Sequence, residues 1–182
     1  MMEPYHNPRT YRYLDSAEDR QQLIAEIRTM RAAVLRVAAG VPEAEAYTPR
    51  YHGWSLAAML AHLHIADRFA LLVIQAALLN IYPRIPMRWI NQANGISAPR
   101  TQIRNLAVCK ADIAHMEPRI AAFITRLPVE RFSKPVYYPP IEAYTTVEKA
   151  LQDYFVYHWQ EHLTTMCAVE GIPQPPQARR LG

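Results

Sequence analysis

Three histidines of this 182-residue chain have the side-chain chemistry and positions needed to hold a metal ion. His158 and His162 lie four residues apart in the apolar stretch 151–166, so on an α-helix they project from one face. Neutral imidazole is the commonest metal ligand among protein side chains and binds zinc, nickel and iron. The pair is therefore a candidate chelate, although a solvated helix face or a hydrogen-bonded core pair would show the same spacing.

His62 supplies a third candidate ligand from a different predicted helix. It lies in an apolar segment that follows Ser55, a favourable helix N-cap. A buried imidazole without a partner costs roughly 1–3 kcal/mol, so a metal, a hydrogen bond or solvent must satisfy its ring nitrogens. Three protein ligands leave one coordination position open for water or substrate, as in catalytic zinc sites, whereas structural sites are closed by four. The set of three histidines therefore indicates a catalytic metal site rather than a structural one.

Other polar residues near these histidines are weaker candidates. Glu161 is a candidate second-shell or general-base carboxylate, although a solvated charge is the simpler interpretation. His64 is two residues from His62 and faces another side of the helix, so we do not expect it to bind metal. Three aromatic residues of a proline-rich segment either line the mouth of a pocket or pack the loop: Tyr137, Tyr138 and Tyr144.

Apolar periodicity predicts four helices that would position the histidines. Only 5 residues are glycine, which favours long helices over sheet and turns. Pro118 falls inside the third helical pattern, where we expect a kink and where a break into two helices is the alternative. The predicted spans are about 16–39, 56–80 and 100–127, with a fourth from a capping box at Thr145-Thr146-Val147-Glu148 to Gly171, and irregular connections at 82–99 and 128–144.

These patterns predict an all-α protein, a four-helix bundle with two long inter-helix connections. We divide the chain into an N-terminal arm at 1–15, the bundle at 16–173 and a flexible tail at 174–182. The net charge of +4 is dispersed, which argues against nucleic-acid binding. No apolar run reaches the ~20 residues that span a bilayer. Two cysteines without C-x-x-C spacing, which we expect to be small core residues, and no recognisable leader fit a reducing cytoplasm.

The spacing of the histidines resembles the DinB/YfiT-like family of metal-dependent enzymes. Family members start a helix with tryptophan and serine and place a ligand histidine eight residues after the tryptophan. They also carry a histidine pair that is followed, after a few helical residues, by a closing glycine. The matching residues here are Trp54-Ser55, Leu60-Ala61-His62-Leu63, His158-x-x-x-His162 and Glu170-Gly171-Ile172-Pro173.

The resemblance covers roughly residues 16–173 and carries several expectations. It implies an up-down-down-up bundle, a divalent metal (Zn, Ni or Fe) held by His62, His158 and His162, and frequent homodimers. It also implies a range of activities on a small-molecule substrate: some members transfer low-molecular-weight thiols or isomerise thiol adducts, some hydrolyse, and many have no known reaction. Members often have glutamine three residues after the last histidine, where this chain has Thr165.

Two functions remain open from the sequence. In the first, the open-site metal activates a thiol cofactor or water for S-transfer or hydrolysis. In the second, the bundle is a non-catalytic binding module whose metal only fixes the second and fourth helices. The two differ in what removal of the metal would do: the first predicts loss of activity in a folded protein, and the second predicts marked loss of stability.

Overall fold

The computed structural model describes residues 9–174. Four long helices form a bundle, and shorter elements lie in its connections. In chain order the elements are α1 (Ala17–Gly40), α2 (Leu56–Leu78), α3 (Met87–Thr101), α4 (Leu106–Arg126), α5 (Val129–Phe132), β1 (Pro135–Tyr138), β2 (Ala143–Thr146), α6 (Val147–Gln152), a π-helical segment (Asp153–Tyr157) and α7 (His158–Glu170). The prediction of a flexible tail falls almost wholly outside the described residues, as do the first eight residues of the arm.

Two apolar clusters, one at each end of the bundle, fix the directions of the helices. One cluster joins the C-terminal half of α1 to the N-terminal parts of α2 and α4 and to α7. The other joins the N-terminal half of α1 to the C-terminal parts of α2 and α4, and to α6 and the π-helical segment. Helices α1 and α7 therefore run one way and α2 and α4 the other, which is the up-down-down-up arrangement that the family resemblance implies.

Helix α3 corrects the prediction of an irregular connection at 82–99. Because α2 and α4 run in the same direction and pack against each other, the chain must return along the bundle between them. A 15-residue helix covers about 22 Å of that distance. Periodicity missed this helix because Ala98 is its one buried residue and because Gly95 and Pro99 interrupt its helical pattern.

The predicted ends of the long helices agree with the structure, with two exceptions. The side chains of Ser16 and Ser55 cap α1 and α2, and Gly171 ends α7 with a left-handed φ of 64°. Helix α4 begins at Leu106 rather than near residue 100, after an Asn105 cap, and runs through Pro118 without a break. The second exception is the predicted capping box, which places the N-cap at Thr145. The N-cap of α6 is Thr146, whose side chain accepts a hydrogen bond from the Lys149 N–H.

The second long connection contains a small sheet, which the sequence did not predict. Strands β1 and β2 pair antiparallel in the register Pro135↔Thr146 to Tyr138↔Ala143. Glu148, predicted to close the capping box, instead accepts a hydrogen bond from the Leu14 N–H of the arm. The strands were missed because each has only four residues and neither alternates buried with exposed positions.

Helix α2 forms much of the core. By length and composition alone it is apolar enough to cross a membrane, yet 61% of its most apolar window is buried inside the protein. Leu72 is an exposed apolar residue on the outer face of this helix. Both cysteines, Cys109 and Cys167, are free and buried, as expected of small core residues.

Candidate metal centre

The bundle brings the three predicted histidines together, with the ring nitrogens facing one another. The Nε2 atom of His158 lies 3.2 Å from Nε2 of His62 and 3.0 Å from Nε2 of His162. All three candidate ligand atoms lie within 4.8 Å of one another. Around a tetrahedral zinc ion with Zn–N bonds of about 2.05 Å, ligand nitrogens lie about 3.3 Å apart. The group therefore has the dimensions of a three-histidine metal site.

Hydrogen bonding among the imidazoles does not account for this arrangement. A neutral imidazole has one donor and one acceptor nitrogen, and each makes one linear hydrogen bond. His158 Nε2 faces two ring nitrogens at once, so one of these contacts has no hydrogen bond. Its other nitrogen, Nδ1, is buried and has no partner among the described residues. A cation placed between the three nitrogens would satisfy all three lone pairs.

Burial keeps the three rings in the neutral form that binds metal. Desolvation lowers the pKa of His62 to about 4, a shift that a hydrogen bond to the Asn94 side chain opposes. Burial, together with the neighbouring charges of His62 and His52, lowers the pKa of His162 to about 3. Burial also lowers the pKa of His158 well below its usual range, and the other two histidines and Arg9 reinforce that effect.

These pKa shifts predict that the metal-free protein loses stability in mild acid. On unfolding, the imidazoles regain a pKa of about 6.5. Below that pH the unfolded chain binds more protons than the folded chain, so the free energy of unfolding falls as pH decreases. We expect the contribution to be fully present above pH about 6.5 and to decline towards pH about 4. Urea titrations across this range measure it, and the His62→Ala variant should show a shallower decline than the wild type. Equal slopes would contradict the assignment.

The turn before α2 and the end of α3 surround the His62 side of the site. The indole of Trp54 meets the His62 ring edge-on, with centroids 4.9 Å apart. The Ser55 hydroxyl donates to the Gln102 carbonyl, and Gln102 Nε2 donates to the carbonyl of Gly53. Gln102, at the end of α3, thus holds the turn at Gly53–Ser55 by hydrogen bonds, and α3 places Asn94 next to His62. Trp54 therefore packs against a ligand candidate.

The π-helical segment sets the register of α7 just before His158. Through α6, the π segment and α7, a buried residue recurs every four residues. Four residues of a regular α-helix turn through about 400°, so each step would shift the buried side chain by about 40° around the helix. The wider π turn takes up this drift and keeps the side chains on one face. The Phe155 carbonyl of this segment accepts a hydrogen bond from Arg31 Nη1 at 3.3 Å. The buried residues at this spacing are Val147, Leu151, Phe155, Trp159, Leu163 and Cys167.

A buried polar network joins three helices beside the site. Arg31 of α1 donates from Nη2 to Asp67 Oδ2 at 2.6 Å, and Trp159 donates from Nε1 to Asp67 Oδ1 at 2.9 Å. The Arg31 guanidinium also lies over the Trp159 ring, 4.3 Å from its centroid. Burial raises the pKa of Asp67, and Arg31 and Trp159 oppose the rise. Because Trp159 adjoins His158, the network anchors α7 to α2 independently of any metal.

The remaining predicted residues lie around the site rather than in the histidine group. Glu161 is exposed, and its Oε1 accepts from Arg9 Nη2 at 2.6 Å. Thr165 bonds back to the Glu161 carbonyl of its own helix. His64 is outside the group of three histidines, as expected. Of the tyrosines, Tyr137 and Tyr138 are buried in the hairpin and Tyr144 is exposed.

Sequence reasoning missed four polar residues that support the site. Two of them are Asp67 of α2 and Asn94 of α3, which lies at His62. The other two, Arg9 and Asp153, form a hydrogen-bonded pair near His158. Asp67 was the one signal available, since it is the only acidic residue of a mostly apolar helix. The others depend on contacts between segments distant in the sequence, which periodicity does not reveal.

Comparisons with known proteins agree with this fold. A family model described as "DinB superfamily" matches residues 14–166. The solved structure described as "YfiT from Bacillus subtilis is a probable metal-dependent hydrolase with an unusual four-helix bundle topology" superposes with a TM-score of 0.68 at 18% identity, covering 92% of this chain and 95% of that chain. No curated protein matches the chain significantly. The four-helix bundle predicted from the sequence is thereby confirmed.

Proposed function

We propose that this chain, which belongs to the DinB superfamily, is a metal-dependent hydrolase that acts on a small-molecule substrate. The observation that carries the proposal is the convergence of three imidazole nitrogens at 3.0 and 3.2 Å, on half-buried rings of two helices. Such a donor set suits a divalent ion of zinc, nickel or iron, because all three bind imidazole. His62, His158 and His162 would hold the ion and leave part of its coordination sphere open.

The protein's own contribution is to hold the ligands neutral and fixed. Burial disfavours the imidazolium form of each ring, so protons compete with a cation only well below neutral pH. The Asn94 side chain of α3 and the Trp54 ring of the turn before α2 both border His62. When bound, a divalent ion would lower the pKa of water or of a thiol in the open position, so that an anionic nucleophile exists at neutral pH.

The contacts between α2 and α7 favour a catalytic metal over a structural one, because they hold the two helices together without an ion. Helices α2 and α7 are already linked by the hydrogen bond between Trp159 and Asp67, and both belong to the same apolar cluster. The bundle therefore does not depend on an ion to fix these helices. Three ligands rather than four also suit an open site.

Water is the proposed nucleophile because the solved neighbour is described as a probable metal-dependent hydrolase. A low-molecular-weight thiol, and with it S-transfer, is the second candidate, and it rests on the activities of the family. Glu161 is not placed as the general base in this proposal, since its carboxylate pairs with Arg9. A homodimer, a cytoplasmic location and the absence of nucleic-acid and membrane partners stay predictions from the sequence.

Metal-dependent turnover tests the proposal. Metal-free protein is reloaded separately with Zn²⁺, Ni²⁺ or Fe²⁺ and assayed against panels of esters and amides, and then against electrophiles with added thiols. We expect hydrolysis that requires metal, persists in His64→Ala and disappears in His158→Ala. Turnover only with a thiol would replace water as the nucleophile. A metal that stabilises the protein strongly but supports no reaction would identify a structural site and contradict the proposal.

A further inference from the structure

The first described residues of the chain lie directly on the helix that carries the histidine pair. The backbone of Arg12 exchanges two hydrogen bonds with the Gln152 side chain, each 2.8 Å long. Leu14 is fully buried in the core, and the Tyr157 hydroxyl donates to the Thr10 carbonyl. The arm is therefore part of the folded body from Arg9 onward.

Arg9 joins the residues on either side of His158. Its Nη1 atom donates to Asp153 Oδ1 at 2.8 Å, and its Nη2 atom donates to Glu161 Oε1 at 2.6 Å. The guanidinium also lies 5.5 Å from the centroid of the Tyr157 ring. Positions 153, 157 and 161 form a stripe beside the one that carries His158 and His162. One side chain of the arm thus holds the helix surface next to both ligand candidates.

Asp153 connects this contact to the backbone of His158. Its main-chain carbonyl accepts the His158 N–H, the hydrogen bond that closes the π turn. Its carboxylate is 3% exposed and is held by Arg9 and by the Tyr11 hydroxyl, 2.9 Å away. Among residues 9–174, Arg9 is the only cation within salt-bridge distance of this carboxylate. A buried carboxylate that loses its cation is strongly destabilised, so the π turn needs Arg9 to keep its geometry.

We propose that Arg9 is a positioning residue of the metal centre, which fixes the imidazole of His158 by neutralising Asp153 and bracing Glu161. This inference rests on the proposed function, since it gives the arm a purpose in metal binding. Burial raises the pKa of Asp153, and Arg9 and Tyr11 oppose that rise, which agrees with the carboxylate's dependence on these partners.

Positioning and simple electrostatics predict opposite effects of removing Arg9. A cation close to a divalent ion repels it, so Coulomb interaction alone predicts that Arg9→Ala tightens metal binding. Loss of a residue that orients a ligand weakens metal binding by about 10- to 100-fold. The sign of the change therefore separates the two accounts.

Metal affinity of the arm variants is the test, measured by titrating metal-free full-length protein with Zn²⁺ against a chromophoric chelator. We expect Arg9→Ala to bind about 10- to 100-fold more weakly than wild type, and Arg9→Lys to recover part of the loss. Arg12→Ala is the matched control, because it removes an arginine side chain of similar exposure whose salt bridge goes to Glu26 of α1, and it keeps the two backbone hydrogen bonds to Gln152. Its affinity should match the wild type.

A second measurement tests the same geometry without metal. Hydrogen exchange of the His158 amide should be faster in Arg9→Ala than in wild type and in Arg12→Ala, with helix content by circular dichroism unchanged. Affinity that is unchanged or tighter in Arg9→Ala, or equal amide exchange in all three proteins, would overturn the positioning role alone. A wild type that binds no Zn²⁺ would instead overturn the proposed function.

Discussion

Replacing His158 with alanine is expected to abolish metal binding while the bundle stays folded. Its Nε2 atom is the one that lies close to both other ligand candidates, at 3.2 and 3.0 Å. Without it, two donors remain on two different helices, too few for a stable site. We expect the loss of affinity to exceed the roughly 100-fold that removal of a supporting residue costs. Titration of metal-free protein with Zn²⁺ measures it.

The fold should survive this change because the His158 ring contributes little hydrogen bonding to the metal-free protein. Its Nδ1 atom is buried without a partner among the described residues, so removing the ring also removes an unsatisfied polar atom. The control is His64→Ala, which removes a histidine of α2 that lies outside the group and whose Nδ1 also has no partner among the described residues. It should bind metal as the wild type does. Equal affinity of both variants would show that His158 is not a ligand.

Replacing Asp67 with alanine is expected to cost about 3–5 kcal/mol of stability. The change leaves Arg31 buried without its ion partner and the Trp159 N–H without its acceptor. Removing one member of a buried pair is far more costly than the pair is worth, because the other charge remains out of water. Urea unfolding of metal-free wild type and variant, monitored by tryptophan fluorescence, measures the difference.

Arg28→Ala is the matched control for this prediction. Like Arg31, Arg28 is an arginine of α1 that forms a salt bridge with an acidic residue of another helix, in this case Glu117. Its side chain, however, is 57% exposed. An exposed pair contributes at most about 1 kcal/mol, so this variant should unfold close to the wild type. A cost for Asp67→Ala as small as that of Arg28→Ala would show that the network does not hold the bundle.

The sequence predicted the bundle well because its strongest signals are local. Caps at Ser16 and Ser55 and the stop at Gly171 need only neighbouring residues, and the apolar periodicity of α1 and α2 needs only one helix. Helix α3 escaped prediction because it is required by the parallel course of α2 and α4, a property of the whole fold. The strands of four residues were too short to show alternation.

The candidate site was predicted only in part, for a related reason. Histidine spacing and the family pattern gave His62, His158 and His162, whose approach the fold then supplies. The contacts that support them depend on Arg9 and Asp153, 144 residues apart, and on a π turn. The π turn leaves one signal in the sequence: large apolar residues recur every four residues from Leu151 to Leu163. This spacing suits a wider turn better than a regular α-helix.

The most direct test of the account is the metal content of the purified protein, made without a polyhistidine tag and measured by elemental analysis beside His62→Ala. The three-histidine site predicts about one divalent ion per chain in the wild type and little or none in the variant. No metal in the wild type after reconstitution with zinc, nickel or iron(II), or equal metal in both proteins, would contradict it.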